Sequence, residues 1–164
     1  MGQIAKAVVK TTFVDRGWDR IKRELRVADG SFTKIGYPQN ANPAPGESTM
    51  SEIIEIAAVH EFGAPNRNIP IRAHVRPSFD ENIAGLKRIV KNTYNKIVDG
   101  KINTKVALGI IGEFGVSKLQ GKIRKGPFTP LSPYTIAKKK SSKPLIDTAQ
   151  MIQSVTHTEQ INGV

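Results

Sequence analysis

Cysteine is absent from the 164 residues, which excludes a disulfide framework, a thiol nucleophile, an iron–sulfur cluster and a Cys-based zinc site. Long apolar runs are missing as well, none approaching the ~18 residues of a membrane-spanning helix. The opening Met1-Gly2-Gln3-Ile4-Ala5-Lys6 has no signal-peptide hydrophobic region and lacks the Ser or Thr at position 6 of a myristoylation motif. The protein is therefore expected to stay in the compartment of its synthesis, with no membrane partner. Acidic residues are missing from one stretch: none lies between Phe114 and Ile146, where Lys118, Lys122, Arg124, Lys125, Lys138, Lys139, Lys140 and Lys143 all fall.

What is present describes one ordinary domain spanning 1–164. A chain of this length buries ~70% of its unfolded surface and needs no staple to hold a core. Lys and Arg number 25 against 14 Asp and Glu, a net charge of +11, and most of the imbalance lies in that acid-free stretch. Such a patch suits nucleic-acid phosphates or an acidic partner protein, and a solvated basic face is the simpler alternative. Only Phe128 and Tyr134 interleave the cations, too few for a single-strand-binding platform, and no helix-turn-helix, RNA-recognition or zinc-finger pattern accompanies them.

Residue patterning alternates strand-like and helical segments without the regularity of a parallel sheet, which predicts an α+β domain. Residues 7–14 are β-branched and aromatic, a strand signal. Asp15 sits where an N-cap would, and Trp18, Ile21 and Leu25 recur at helical spacing up to Asp29-Gly30. Residues 31–37 alternate like a strand. Residues 38–49 carry three prolines and no periodicity, predicting a flexible surface loop. Ser51 is the expected cap of a helix stopped by Gly63. Pro77 and Ser78 open a predicted helix over 78–98, with Ser78 and Glu81 at capping-box spacing and Phe79, Ile83, Leu86, Val90, Thr93 or Tyr94, and Ile97 on one apolar face. Asn103 caps a further helix to Lys125, in which Gly109, Gly112, Gly115 and Gly121 each cost about 1 kcal/mol against Ala. Those glycines require either a close neighbouring backbone or a bend. Residues 126–133 are too proline-rich for regular structure. Two short helices follow, one from Ser132-Pro133 to Lys140 and one capped by Asp147 or Thr148 and running to Gln153, then a closing strand over 154–159. The expected architecture is a small, mainly antiparallel sheet of the N-terminal, 31–37 and C-terminal strands, packed by the 78–98 and 103–125 helices.

Catalytic patterns are poor. His60-Glu61 begins like a zinc-binding H-E-x-x-H helix, but Ala64 stands where the second His belongs, beyond a helix-breaking Gly63. His74 and His157 are isolated, and the glycines three apart in 109–115 form neither a dinucleotide fingerprint nor a Walker loop. The pairs Glu52 with Glu55, Glu55 with Asp80 and Asp15 with Asp19 have nothing to gather them around a reactive centre. Ser142, Asp147 and His157 lack a G-x-S-x-G elbow. Neither an enzyme nor a cofactor or metal site is expected.

The order of several short motifs is more informative. Asp15-Arg16-Gly17-Trp18, Lys34-Ile35-Gly36-Tyr37, Ile56-Ala57-Ala58-Val59-His60-Glu61-Phe62-Gly63, and Ile69-Pro70-Ile71-Arg72 running into Arg76-Pro77-Ser78-Phe79-Asp80 succeed one another. Pro130-Leu131-Ser132-Pro133, Thr135-Ile136, Lys143-Pro144-Leu145-Ile146-Asp147-Thr148, Met151 and Ser154-Val155 close the series. Together they cover 14–157, and the sequence resembles the tailed-bacteriophage neck and tail-completion proteins, the virion-morphogenesis group. Two positions depart from that group: Ala149 stands where Gly is common, and Ile71 where a small residue follows Ile-Pro.

The resemblance implies a non-enzymatic virion protein of the head–tail neck, assembled in the host cytoplasm. It implies a cyclic ring of six or twelve copies between head-completion or adaptor proteins and the tail-terminator or tail-tube proteins, with DNA in the channel a further contact. A tail terminator is the neighbouring role, and a small basic nucleic-acid-binding module is the rival from another class. Asn40, Pro43, Pro45, Phe62, Pro65, Phe128 and Leu131 are the candidate subunit contacts, in loops that a neighbouring copy would order.

Overall fold

Asn103 starts the longest element as the sequence suggests: its Oδ1 accepts from the Val106 N–H at 2.9 Å, and the helix runs without a break over Thr104–Lys125. The computed structural model describes residues 12, 14–15, 17–139, 142–146 and 149–162. Of the strand expected over 7–14, only residues 12 and 14 are described and neither is in a strand; the rest of it, and the caps Asp147 and Thr148, lie outside the description. Around that long helix (α5) stand α1 (Trp18–Ala28), α2 (Met50–Phe62), α3 (Val75–Asp80), α4 (Ile83–Val98), α6 (Pro133–Lys139), α7 (Gln150–Gln153) and the strands β1 (Phe32–Gly36) and β2 (Thr156–Gln160). More than half of the described residues are helical, and the class is α+β.

The two strands pair antiparallel, Phe32 opposite Gln160 and Gly36 opposite Thr156, which places Ile35 opposite His157. That cross-strand pair explains the glycines of α5. A Cβ on Gly115 would sit 2.5 Å from Ile35 Cδ1, one on Gly112 would run into the His157 ring, and one on Gly109 would reach Glu159 Oε1 at 3.4 Å. Glycine every third residue thus flattens one side of the helix into a seat for the ribbon. The close approach is made by sheet side chains rather than by another backbone, and the helix is continuous.

Helix α1 clamps two helix ends. Its Arg20 donates from Nη1 to the Ile97 carbonyl at 2.9 Å and from Nη2 to the Val98 carbonyl at 2.7 Å, at the C-terminus of α4. One turn later, Glu24 Oε2 accepts from the Thr104 N–H at 2.9 Å, at the N-terminus of α5. Each charge meets the end of the helix dipole that it stabilises. Asp15 also caps, as expected, accepting from the N–H of Gly17, Trp18 and Asp19, although Gly17 holds the left-handed cap position itself.

Three expectations are corrected. The helix over 78–98 is two helices, with a turn at Glu81-Asn82; Ser78 is not a cap, because it lies inside α3 and its hydroxyl donates back to the Val75 carbonyl at 2.7 Å. The cap of α2 is Thr49, not Ser51: Thr49 and Glu52 make a reciprocal capping box. Of the two expected supports for the sheet, α5 alone carries it; α3 and α4 pack on α5 instead.

The core gathers Ile53 and Ala57 of α2, Leu119 and Ile123 of α5, and Leu145, Met151, Ile152 and Val155 from the C-terminal region. The 38–49 segment has no helix or strand, as expected, yet it is tied down. Gln150 Nε2 donates to the Ala44 and Ser48 carbonyls while its Oε1 accepts from the Ser48 N–H, and Ser154 Oγ accepts from the Ala44 N–H.

Candidate interaction surfaces

Glu61 ends its helix beside the start of α3 and supplies the cap that α3 lacks. Its carboxylate accepts from the N–H groups of His74, Val75 and Arg76 at 2.7, 2.8 and 3.0 Å. Burial by itself would raise this carboxyl, but the three N–H donors and His74 hold it below the ordinary value. His74, fully buried, follows in the chain: Nδ1 lies 3.3 Å from the Arg72 carbonyl and Nε2 3.4 Å from the Tyr37 hydroxyl. A neutral ring protonated at Nδ1 satisfies both contacts, donating to the Arg72 carbonyl and accepting from the Tyr37 hydroxyl at Nε2. Burial keeps His74 below its ordinary pKa, against the opposing pull of the Arg72 carbonyl and Glu61. Burial, and secondarily the Glu61 charge, pushes Tyr37 well above its own.

Arg72 extends the joint to the proline-rich segment. Almost wholly buried, it donates from Nε to the Thr129 carbonyl at 2.9 Å and from Nη2 to the Pro130 carbonyl at 3.2 Å. An open cleft of about 770 Å³ lies beside it, with Ile53, Ile56 and His60 of α2 on one wall and Pro130, Leu131 and Thr135 on the other. No carboxylate lines it among the described residues. The chemistry of this region is structural: a carboxylate caps, an imidazole bridges, and a guanidinium holds a loop.

The basic residues singled out from sequence stand in different surroundings. Lys122 pairs with Glu81 at 2.5 Å, and Lys118 lies over the Phe114 ring, 5.2 Å from its centroid. Arg124, Lys125, Lys138 and Lys143 are exposed; the side chain of Lys139 and the whole of Lys140 lie outside the description. The candidate contact residues also divide. Asn40, Pro45 and Pro65 are exposed, Pro43 is half-buried, and Phe62 is 71% exposed beside Ile71 at 62%. Phe128 is partly buried and packs against the core cluster, and Leu131 lines the cleft.

Two features escaped the sequence reading. One is the joint of Glu61, His74 and Arg72, for which the only signal was a charged pair and a histidine ahead of a helix. The other is on α4, where the apolar face is wider than the core it meets. Thr93 and Ile97 are buried, whereas Ile83, Val90 and Tyr94 are 48%, 45% and 50% exposed. No helix among the described residues is long and apolar enough to cross a membrane, and none of their acidic, His or Cys side chains gather in threes that could hold a metal ion. No family model matches the chain, and no curated protein or solved structure matches it either.

Proposed function

We propose that this chain is a structural subunit of the bacteriophage head–tail junction. In this reading it forms a cyclic ring of six or twelve copies that joins head-completion or adaptor proteins to the tail, with the tail terminator as the neighbouring role. The sequence resemblance supplies the identity. The observation that carries the physical side is the apolar surface left exposed: Phe62 at the end of α2, Ile71 in the link that follows it, Tyr134 on α6 at 78% exposure, and the outer stripe of α4. Side chains of this size on several faces fit a subunit with neighbours on more than one side. The test is to identify the protein in purified particles and image the neck. A ring of this chain between head and tail is the expected result, and particles complete and infectious without the chain overturn the reading.

A second reading is a basic nucleic-acid-binding module, favoured by the exposed Arg124, Lys125 and Lys138, none of which has an acidic partner among the described residues. It requires DNA affinity that falls steeply with added salt. Indifference to DNA at low salt excludes it.

A further inference from the structure

Two helices of this chain each carry side-chain charge of one sign among their Asp, Glu, Lys and Arg residues. In α4, Lys87, Arg88, Lys91 and Lys96 occur with no acidic residue; in α2, Glu52, Glu55 and Glu61 occur with no Lys or Arg. No ion pair joins the two helices within the described chain. Each presents an exposed stripe in which apolar and charged residues share one face. On α4, Ile83, Lys87, Val90 and Tyr94 recur at i, i+4, i+7 and i+11, and Lys91 stands beside them; all are exposed. On α2, Glu55, Ala58 and Phe62 recur at i, i+3 and i+7, all exposed, and Ile71 adds apolar surface beyond Gly63, close to its Cα. Glu61 is committed to capping α3, so Glu55 is the carboxylate this stripe has to offer.

We infer that the α2 stripe of one copy docks on the α4 stripe of the next, with Glu55 facing Lys87 and Lys91 while Phe62 and Ile71 cover Val90 and Tyr94. Charge complementarity selects the occupant: the cationic face is apolar along its centre, which suits a helix with an acidic edge rather than a phosphate backbone, and this chain carries such a helix. The contact is heterologous, because two different patches meet. Repeated head to tail it closes a ring or grows a filament, whereas a patch meeting itself would stop at a dimer. The inference rests on the ring of the proposed function and names the surfaces that build it.

A chain without cysteine lends itself to a direct test. A58C and V90C, made separately, mixed and oxidised at raised protein concentration, are expected to give a mixed disulfide dimer, and each alone only monomer. The doubly substituted chain is expected to give a covalent ladder, in isolation and in purified particles. E55K, or K87E with K91E, should abolish the cross-link with unchanged circular dichroism, and combining E55K with K87E and K91E should restore it, because the charges are then exchanged rather than removed. Cross-links of A58C to itself or of V90C to itself overturn the proposal. Particles that contain the protein but yield no ladder overturn it too, while leaving the head–tail assignment in place. Particles lacking the protein defeat that assignment, and the mixed cross-link in solution still decides the surface.

Discussion

Glycines in α5 make opposite demands within one helix. Gly121 has nothing within 4 Å of the place a Cβ would occupy, so G121A removes only the helix penalty. It should stabilise the protein by about 1 kcal/mol, read as an increased denaturant midpoint. At Gly115 the same change meets Ile35, and overpacking of this kind costs about 1–3 kcal/mol. G115A should therefore lower the midpoint, and G115A combined with I35V should recover part of the loss; equal effects at the two positions would contradict the seat described for the ribbon. Ala149 is a third case. It holds φ 62°, ψ 0° at the start of α7, a left-handed conformation that costs a non-glycine residue about 1 kcal/mol. A149G should stabilise by up to about 0.5 kcal/mol after its greater unfolded-state freedom is counted. A lower midpoint for A149G would show that the alanine methyl contributes more packing than its backbone costs.

Elements were legible where their causes are local. Asn103, the apolar residues of 104–125 and the terminal glycines announce α5, and Gly63 announces the end of α2. The division between α3 and α4 was not legible, because apolar spacing runs unbroken from Phe79 to Ile97. What breaks it is tertiary: Glu61 caps α3 from another helix, and Lys122 of α5 pairs with Glu81 in the intervening turn. The tie on the 38–49 segment was hidden for the same reason, since Gln150 lies some hundred residues away in sequence. The α2–α3 joint carries its own pH dependence. His74 is held below its ordinary 6.5, so the unfolded chain binds the proton more readily, and stability is complete above that value and declines as pH falls through it. Glu61, held below its ordinary 4.5, adds a second loss at lower pH. Urea midpoints should fall between pH 7 and pH 5, and H74Q should flatten that part of the profile while leaving the more acidic decline. A profile unchanged by H74Q would remove His74 from this role.

For the whole molecule, the cations near the C-terminal end of the acid-free stretch give the separating experiment. Changing Lys138, Lys139, Lys140 and Lys143 together to Glu reverses the local field; Lys138 and Lys143 are exposed, and exposed substitutions typically move stability by ~0.5 kcal/mol or less each. On the proposed head–tail reading, the variant should fold with an unchanged circular-dichroism spectrum and fail to complement a virus lacking the gene. Normal infectious yield from the folded variant would mean that this segment is only a solvated face.

The carboxylates described above also bear on how freely this protein can change. Asp15, Glu24, Glu52 and Glu61 each accept from backbone N–H groups at the start of a helix, so losing any of them loosens an element. The exposed cations Lys87, Arg88, Lys91, Arg124 and Lys125 accept no such duty among the described residues. Among the cations, Arg20, Arg72 and Lys122 carry structural duty as well, whereas those five do not. A lineage, or an engineer, could retune the electrical character of this protein to a new neighbour by rewriting those five lysines and arginines, with the helices left standing.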